Sequence, residues 1–140
     1  MNNINFGRVL LGGLLAGLVL NIGEFLLNEV VLKNEMETFF SRHNFHNPGG
    51  SFIAIAVALT FVLGIVIVLI YALIRPRLGP GPKAAIIAGL IAWFATYVYT
   101  GIINGVLLAV PSNALLIGLV WGLVEYPVGA IAGAWLYKEM

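Results

Sequence analysis

The sequence predicts an all-α fold, an integral membrane four-helix bundle forming one transmembrane domain over residues 1–140 with both termini in the cytoplasm. Three observations carry that expectation. Hydrophobic residues make up 61% of the chain and charged residues 9%, with a mean hydropathy of +1.01, whereas about a quarter of residues are charged in soluble domains. Four apolar stretches, 9–31, 52–73, 84–110 and 115–136, each come near the ~20 residues that a helix needs to cross ~30 Å of hydrocarbon. No stretch alternates apolar and polar residues in pieces of about ten, as the strands of a membrane barrel would.

The first helix follows Arg8, a charge that also precedes the apolar run of a signal peptide. Its apolar run continues for about twenty residues without a small-x-small cleavage site, so it reads as a retained span. The outer connection, 33–50, contains Asn34 followed three residues later by Glu37, a capping-box spacing, with Met36, Phe39 and Phe40 on one side of the ensuing turns. A short interfacial helix is expected there, serving as a surface connector or as a lid. His43 and His46, near Glu35 and Glu37, offer a weak metal-ligand pattern beside the plainer reading of solvated loop histidines.

Turn residues bound the other helices. Asn47-Pro48-Gly49-Gly50-Ser51 precedes the second, the proline- and glycine-rich run from Pro76 to Pro82 separates the second and third, and Pro111-Ser112-Asn113 precedes the fourth. Pro127 removes a backbone donor two residues after Glu125 and predicts either a packing kink or a hinge. Trp135 and Tyr137 are placed as interface anchors. Arg8, Arg75, Arg77, Lys83 and Lys138 share one side of the predicted topology and Lys33 and Arg42 the other. Basic flanks resist translocation, which puts both termini inside and residues 33–50 outside.

Composition excludes several functions. The chain has no cysteine, hence no disulfide framework or thiolate metal site, and a net charge of +1 provides no field for nucleic acid. No nucleophile set, phosphate loop or paired metal motif is present, so an enzyme is not indicated and no cofactor is expected.

What remains is a polar constellation at membrane depth. Glu24 and Glu125 close similar strings, GLVLNIGEF at 17–25 and GLVWGLVEY at 118–126. A carboxyl at that depth costs roughly 2.5–3.5 kcal/mol and calls for a functional account. At 100° per residue, Gly13, Gly17, Asn21, Glu24 and Asn28 fall within roughly 80° on the first helix, and Gly118, Gly122, Glu125, Gly129 and Gly133 do the same on the fourth. Small-xxx-small pairs let helix backbones approach closely, and a homo-oligomer is expected. The third helix adds Gly89, Trp93, Thr96, Tyr97, Thr100 and Asn104, and the second adds Ala56, Thr60 and Gly64. Trp93 and Trp121 lie near the acidic level, where they pack or stack on an organic cation.

With ~1.5 Å of rise per residue, Glu24 is expected about 6 Å outward of Glu125, a gap that side chains and a water span. Asn28 and Asn104 continue the polar track outward. Burial and like-charge repulsion both favour the neutral acid, so at least one of the pair is expected to hold a proton unless a cation binds. No Lys, Arg or His lies at that depth to pair with them. Glu24, Glu125, Asn21, Asn28, Thr96, Thr100 and Trp121 are therefore the candidate binding residues for a small cation, proton or small ligand. Two alternatives stand beside this: a structural or accessory subunit whose polar groups specify assembly, and lipid or quinone binding between helices.

The strings GRVLLGGLLAGLVLNIGEFLLN, YALIRPRLGPGPK and WGLVEYPVGAIAGAWLYKE resemble a group of short four-helix bacterial membrane proteins. That resemblance implies the fold and a bacterial inner-membrane location, and no activity. In architecture alone the chain is also similar to the small multidrug resistance exporters, with four short helices, a Glu in the first and a glycine-bearing fourth helix used there in dimers. It departs from them in Glu125, in the longer outer connection and in the local sequence around Glu24.

Overall fold

The computed structural model describes residues 3–46 and 49–139, and every regular element among them is helical. Four helices are long and apolar enough to cross a membrane: Phe6–Val31, Gly50–Leu78, Pro82–Leu107 and Ser112–Leu136, the first to fourth spans below. The expected turn at Asn47 and Pro48 lies outside the described residues.

The first span starts at a proper N-cap, Asn5, whose side chain accepts from the Arg8 amide at 3.2 Å. It is α-helical to Leu26 and then widens into a π turn over Leu27–Val31. The turn runs directly into the helix Lys33–Arg42, so Leu32 takes the cap position and no side chain caps it. The capping box expected from Asn34 and Glu37 is therefore not formed. His43 closes this helix with its Nδ1 3.0 Å from the Phe39 carbonyl and its ring between Phe39 and Phe45, at centroid distances of 4.3 and 5.4 Å.

The second span continues to Leu78, past the boundary expected at 73, and passes through Pro76. A proline this near a helix end forfeits a single backbone bond. The extra turn carries Arg75 to Glu139, with Nη1 and Oε1 3.1 Å apart. Gly79, at φ +82, then ends the helix in a conformation that favours glycine. The third span is α-helical over Pro82–Trp93 and Ile102–Leu107, with a π segment, Phe94–Gly101, between them. The fourth begins at Ser112, ahead of the expected 115, and runs uninterrupted past Pro127.

Close approach of backbones organises the packing. Gly64 of the second span lies against Gly13 O and Gly17 N of the first, and a Cβ there would collide with both. Gly12 and Gly133 bring the first and fourth spans together in the same way, while Gly89 lies on the backbone of Tyr126 and Pro127 to join the third and fourth. Each of these pairings runs antiparallel, as residue numbers rise along one helix and fall along its neighbour. Ala84, Ala85, Ala88 and Ala92 are buried in the same core, and the second span packs on the third chiefly along Pro82–Trp93.

The two ends of the molecule differ. At the end carrying the termini, Arg75 lies 5.7 Å from the Tyr137 ring centroid, Tyr71 meets that ring edge-on, and Tyr137 Oη accepts from the Asn5 amide at 3.3 Å. Tyr137 is thus part of the core, contrary to its placement as an interface anchor, while Trp135 is 78% exposed. Toward the far end the second and third spans part, and residues 50–59 of the second are almost all exposed.

Candidate functional site

The site is built where the first, third and fourth spans meet on the far side of the alanine core. Glu24 stands on the last α-helical turn before the π turn of the first span. Its Oε1 accepts from the Tyr97 hydroxyl at 2.5 Å, and Oε2 lies 3.4 Å from Asn28 Nδ2. Asn28 Nδ2 also donates to the Glu24 backbone carbonyl at 2.9 Å. Asn28 thereby holds both ends of the glutamate.

Glu125 is 6% exposed, the one charged or polar residue in the buried set. Its carboxyl packs on Gly23, where a Cβ would lie 2.7 Å from Glu125 Cδ. Trp121, one turn earlier, donates from Nε1 to the Gly23 carbonyl at 3.1 Å and ties the two helices at this level. Among the described residues neither Glu125 oxygen receives a hydrogen bond from an amide, amine or hydroxyl. Its acidic neighbour is Glu24, the residue next to Gly23 in the chain. Two neighbouring carboxyls bond to one another only when a proton sits between them.

Tyr97 comes from the π segment of the third span, and its ring lies along the fourth span's glycine face. A Cβ at Gly122 would stand 2.8 Å from the ring, and one at Gly118 3.8 Å from it. The buried Tyr126 meets Tyr97 edge-on at 5.4 Å and neighbours Thr96. Beside Tyr97 an open cleft of about 330 Å³ is lined by Glu24, Asn28, Thr96 and Tyr97 on its polar side and by Leu27, Leu32, Ile102 and Leu115 among its apolar walls. The one ion pair among the described residues, Arg75–Glu139, is at the opposite end, so the acids have no countercharge.

Of the residues expected from sequence, Glu24, Glu125, Asn28, Thr96 and Trp121 are brought together here. Two are not. Asn21 donates to Gly17 O at 3.0 Å and Val57 O at 3.4 Å, turned toward the second span because it occupies the edge of its arc away from the fourth. Thr100 is exposed and donates to Ala95 O at 2.9 Å, because the wide π turns carry it past Thr96 and away from Tyr97. Thr96 also bonds back to its own helix, at Ala92 O. The track expected to continue through Asn104 stops short, as Asn104 is exposed and outside the cleft.

All six glycines expected to pack helices do so against partners in the same chain: Gly13 on Ile65, Gly17 on Phe61, Gly118 and Gly122 on Tyr97, Gly129 on Leu20 and Gly133 on Val68 and Gly12. Gly13, Gly17, Gly122, Gly129 and Gly133 are thereby covered within the chain, while Gly118 also lines the cleft. Trp93 donates from Nε1 to Leu119 O at 2.9 Å, a packing bond between the third and fourth spans. Among the described residues no three His, Asp or Glu side chains converge, His43 and His46 included.

Three contributors, Gly23, Tyr97 and Tyr126, lie outside the binding residues expected from sequence. The signal for Gly23 was its place directly before Glu24, and Tyr97 stood on the polar face of the third helix; nothing in sequence marked Tyr126. No protein-family model, curated protein or solved structure matches the chain. The fold and site together define a helical protein with four membrane-length spans and two glutamates where three of them meet, Glu125 buried and Glu24 at an open cleft.

Proposed function

We propose that this chain is a multi-pass four-helix bundle of the bacterial inner membrane, with both termini in the cytoplasm, whose Glu24–Glu125 pair binds a proton in exchange for a cation. The observation that carries the reading is Glu125: nine-tenths buried, without an N–H or O–H donor, and packed on Gly23, the residue next to Glu24. Glu24 has donors in Tyr97 and Asn28, while neither oxygen of Glu125 has one. A cation arriving at the cleft replaces that proton as the charge that lets both acids reside there. The cleft touches Glu24 and not Glu125, so Glu24 meets the ligand first.

The test is proton release from protein reconstituted in lipid nanodiscs in weak buffer, upon addition of monovalent inorganic and organic cations. Wild type is expected to release protons, and the Glu24→Gln, Glu125→Gln double variant is not. Equal behaviour of the two, with a change in stability or assembly alone, would favour a structural or accessory role. That second reading draws on the Tyr97–Glu24 and Trp121–Gly23 bonds, which join three spans. Bound lipid or quinone in the cleft, unaffected by the double variant, would favour the third. Gly13, Gly17, Gly122, Gly129 and Gly133 are covered within the chain, so a homo-oligomer would join through other surfaces.

A further inference from the structure

We infer that the end of the molecule carrying the termini holds an anionic phospholipid in the outer seam between the first and fourth spans, its phosphate on Arg8 and Lys138. The inference rests on the membrane placement of the spans and not on the carboxyl pair. Charge is divided unevenly between the two ends. Arg8, Arg75, Arg77, Lys83 and Lys138 stand at the terminal end against a single acid, Glu139, whereas Lys33 and Arg42 at the far end meet Glu29, Glu35 and Glu37. Among the described residues the one ion pair joins Arg75 to Glu139 at 3.1 Å, so Arg8, Arg77, Lys83 and Lys138 have no carboxylate partner there.

Arg8 and Lys138 are brought to one seam. Arg8, in the first turn of the first span, donates from Nη1 to the carbonyl of Leu136, the last residue of the fourth span, at 3.4 Å. That bond uses one N–H of the guanidinium, leaves the others to a ligand and fixes the head at the crossing. Beyond Leu136 the chain leaves the helix in an extended conformation, with Tyr137 at φ −79 and ψ 131. Successive side chains of an extended segment point to opposite sides. Tyr137 is buried against Tyr71 and Glu139 turns to Arg75, so Lys138 between them faces outward and is exposed. Arg77 and Lys83 are carried by the second and third spans.

Toward the membrane interior the seam is apolar. At 100° per residue Leu11 and Leu15 follow Arg8 on the flank of the first span turned away from Gly13 and Gly17, which meet the second span. Ala132 precedes Leu136 by one turn on the matching flank of the fourth, and its short side chain leaves room for an acyl chain. Trp135, 78% exposed, stands beside them, and an indole at a span end takes the headgroup level of a bilayer.

This lining selects the occupant. A guanidinium binds phosphate oxygens in pairs and a lysine adds a point charge, while the exposed apolar strip under them takes a tail. A free phosphate would leave the strip unused, and a zwitterionic lipid brings its own cation against Arg8 and Lys138. An anionic phosphodiester lipid satisfies both parts.

The experiment uses the full chain in dodecyl maltoside, titrated with dioctanoyl phosphatidylglycerol, dioctanoyl phosphatidylcholine or inorganic phosphate. The rise of the thermal unfolding midpoint gives the half-saturating concentration of each, and native mass spectrometry gives the number of lipids retained per chain. Phosphatidylglycerol is expected to saturate at about tenfold lower concentration than phosphatidylcholine. Arg8→Gln and Lys138→Gln are each expected to weaken it about fivefold, and Arg77→Gln and Lys83→Gln to leave it unchanged. Ala132→Phe fills the seam and is expected to weaken it about tenfold with every cation in place.

Equal affinity for the two lipids overturns the site. So does an equal loss in all four glutamine variants, the mark of a diffuse surface field. Saturation by inorganic phosphate at the same concentration as phosphatidylglycerol places a free anion on the cations and overturns the lipid. If Arg8→Gln does not fold, Lys138→Gln and Ala132→Phe decide, and wild-type affinity in both overturns the seam.

Discussion

Gly23 on the first span has its bare α-carbon where the carboxyl of Glu125 on the fourth is seated; a Cβ there would stand 2.7 Å from Glu125 Cδ and 2.8 Å from Oε1. The glycine is therefore half of the site, since a neighbouring residue of any other type would push one acid away from the other.

Gly23→Ala is expected to destabilise the protein by about 1–3 kcal/mol, the usual cost of overpacking, and to lower proton release. Thermal unfolding in detergent and the release assay read the two effects. Gly101→Ala is the control, because its new Cβ meets nothing nearer than Thr96 O at 3.7 Å. If both variants unfold at the same temperature, the close fit at Gly23 is not what positions Glu125.

Tyr97→Phe keeps the ring in its slot along Gly118 and Gly122 and removes the hydroxyl that donates to Glu24. The stability loss should be small, about 0.6 kcal/mol and at most about 1.7, as for other hydrogen bonds between membrane helices. The change should appear in function instead, as a higher concentration of cation needed for half-maximal proton release. Unchanged titration with a large stability loss would mark Tyr97 as a packing residue.

Gly64→Leu should prevent folding at every protein concentration, because the added side chain meets Gly13 O and Gly17 N of the same chain. Size-exclusion elution and helix content over a dilution series check this. A defect confined to concentrations at which a dimer forms would show that these glycines serve assembly.

The orientation can be read directly, because the chain lacks cysteine and single cysteines report without background. Ser41→Cys should react with a membrane-impermeant maleimide in intact cells, and Lys83→Cys only after permeabilisation. The opposite pattern would reverse the topology inferred from the basic flanks.

The spans were legible because the requirement behind them is local. A backbone in hydrocarbon must satisfy its own N–H and C=O groups, so a long apolar stretch is a helix whatever surrounds it. The faces were legible in part: constant rotation places Glu24 with Asn28, and Glu125 with its glycines. That geometry fails for Thr100, which follows π turns of the third span, and the segments Leu27–Val31 and Phe94–Gly101 carry no sequence mark that separates them from α-helix. Pro76 likewise reads as a boundary, yet the Arg75–Glu139 pair lies at the end of the helix that continues through it.

From composition and periodicity alone follow four apolar helices, two acids on small-residue faces, and the lack of a basic partner at their depth, since each is a property of one helix about its own axis. Which faces meet is a property of several helices at once. The crossing of the spans decided that Gly13 and Gly17 receive the second span, that Glu125 lies behind Gly23 and that Tyr97 reaches Glu24. The same crossing parts the second and third spans beyond Trp93, because the buried alanines that let the third span pack closely, Ala84, Ala85, Ala88 and Ala92, all lie before it.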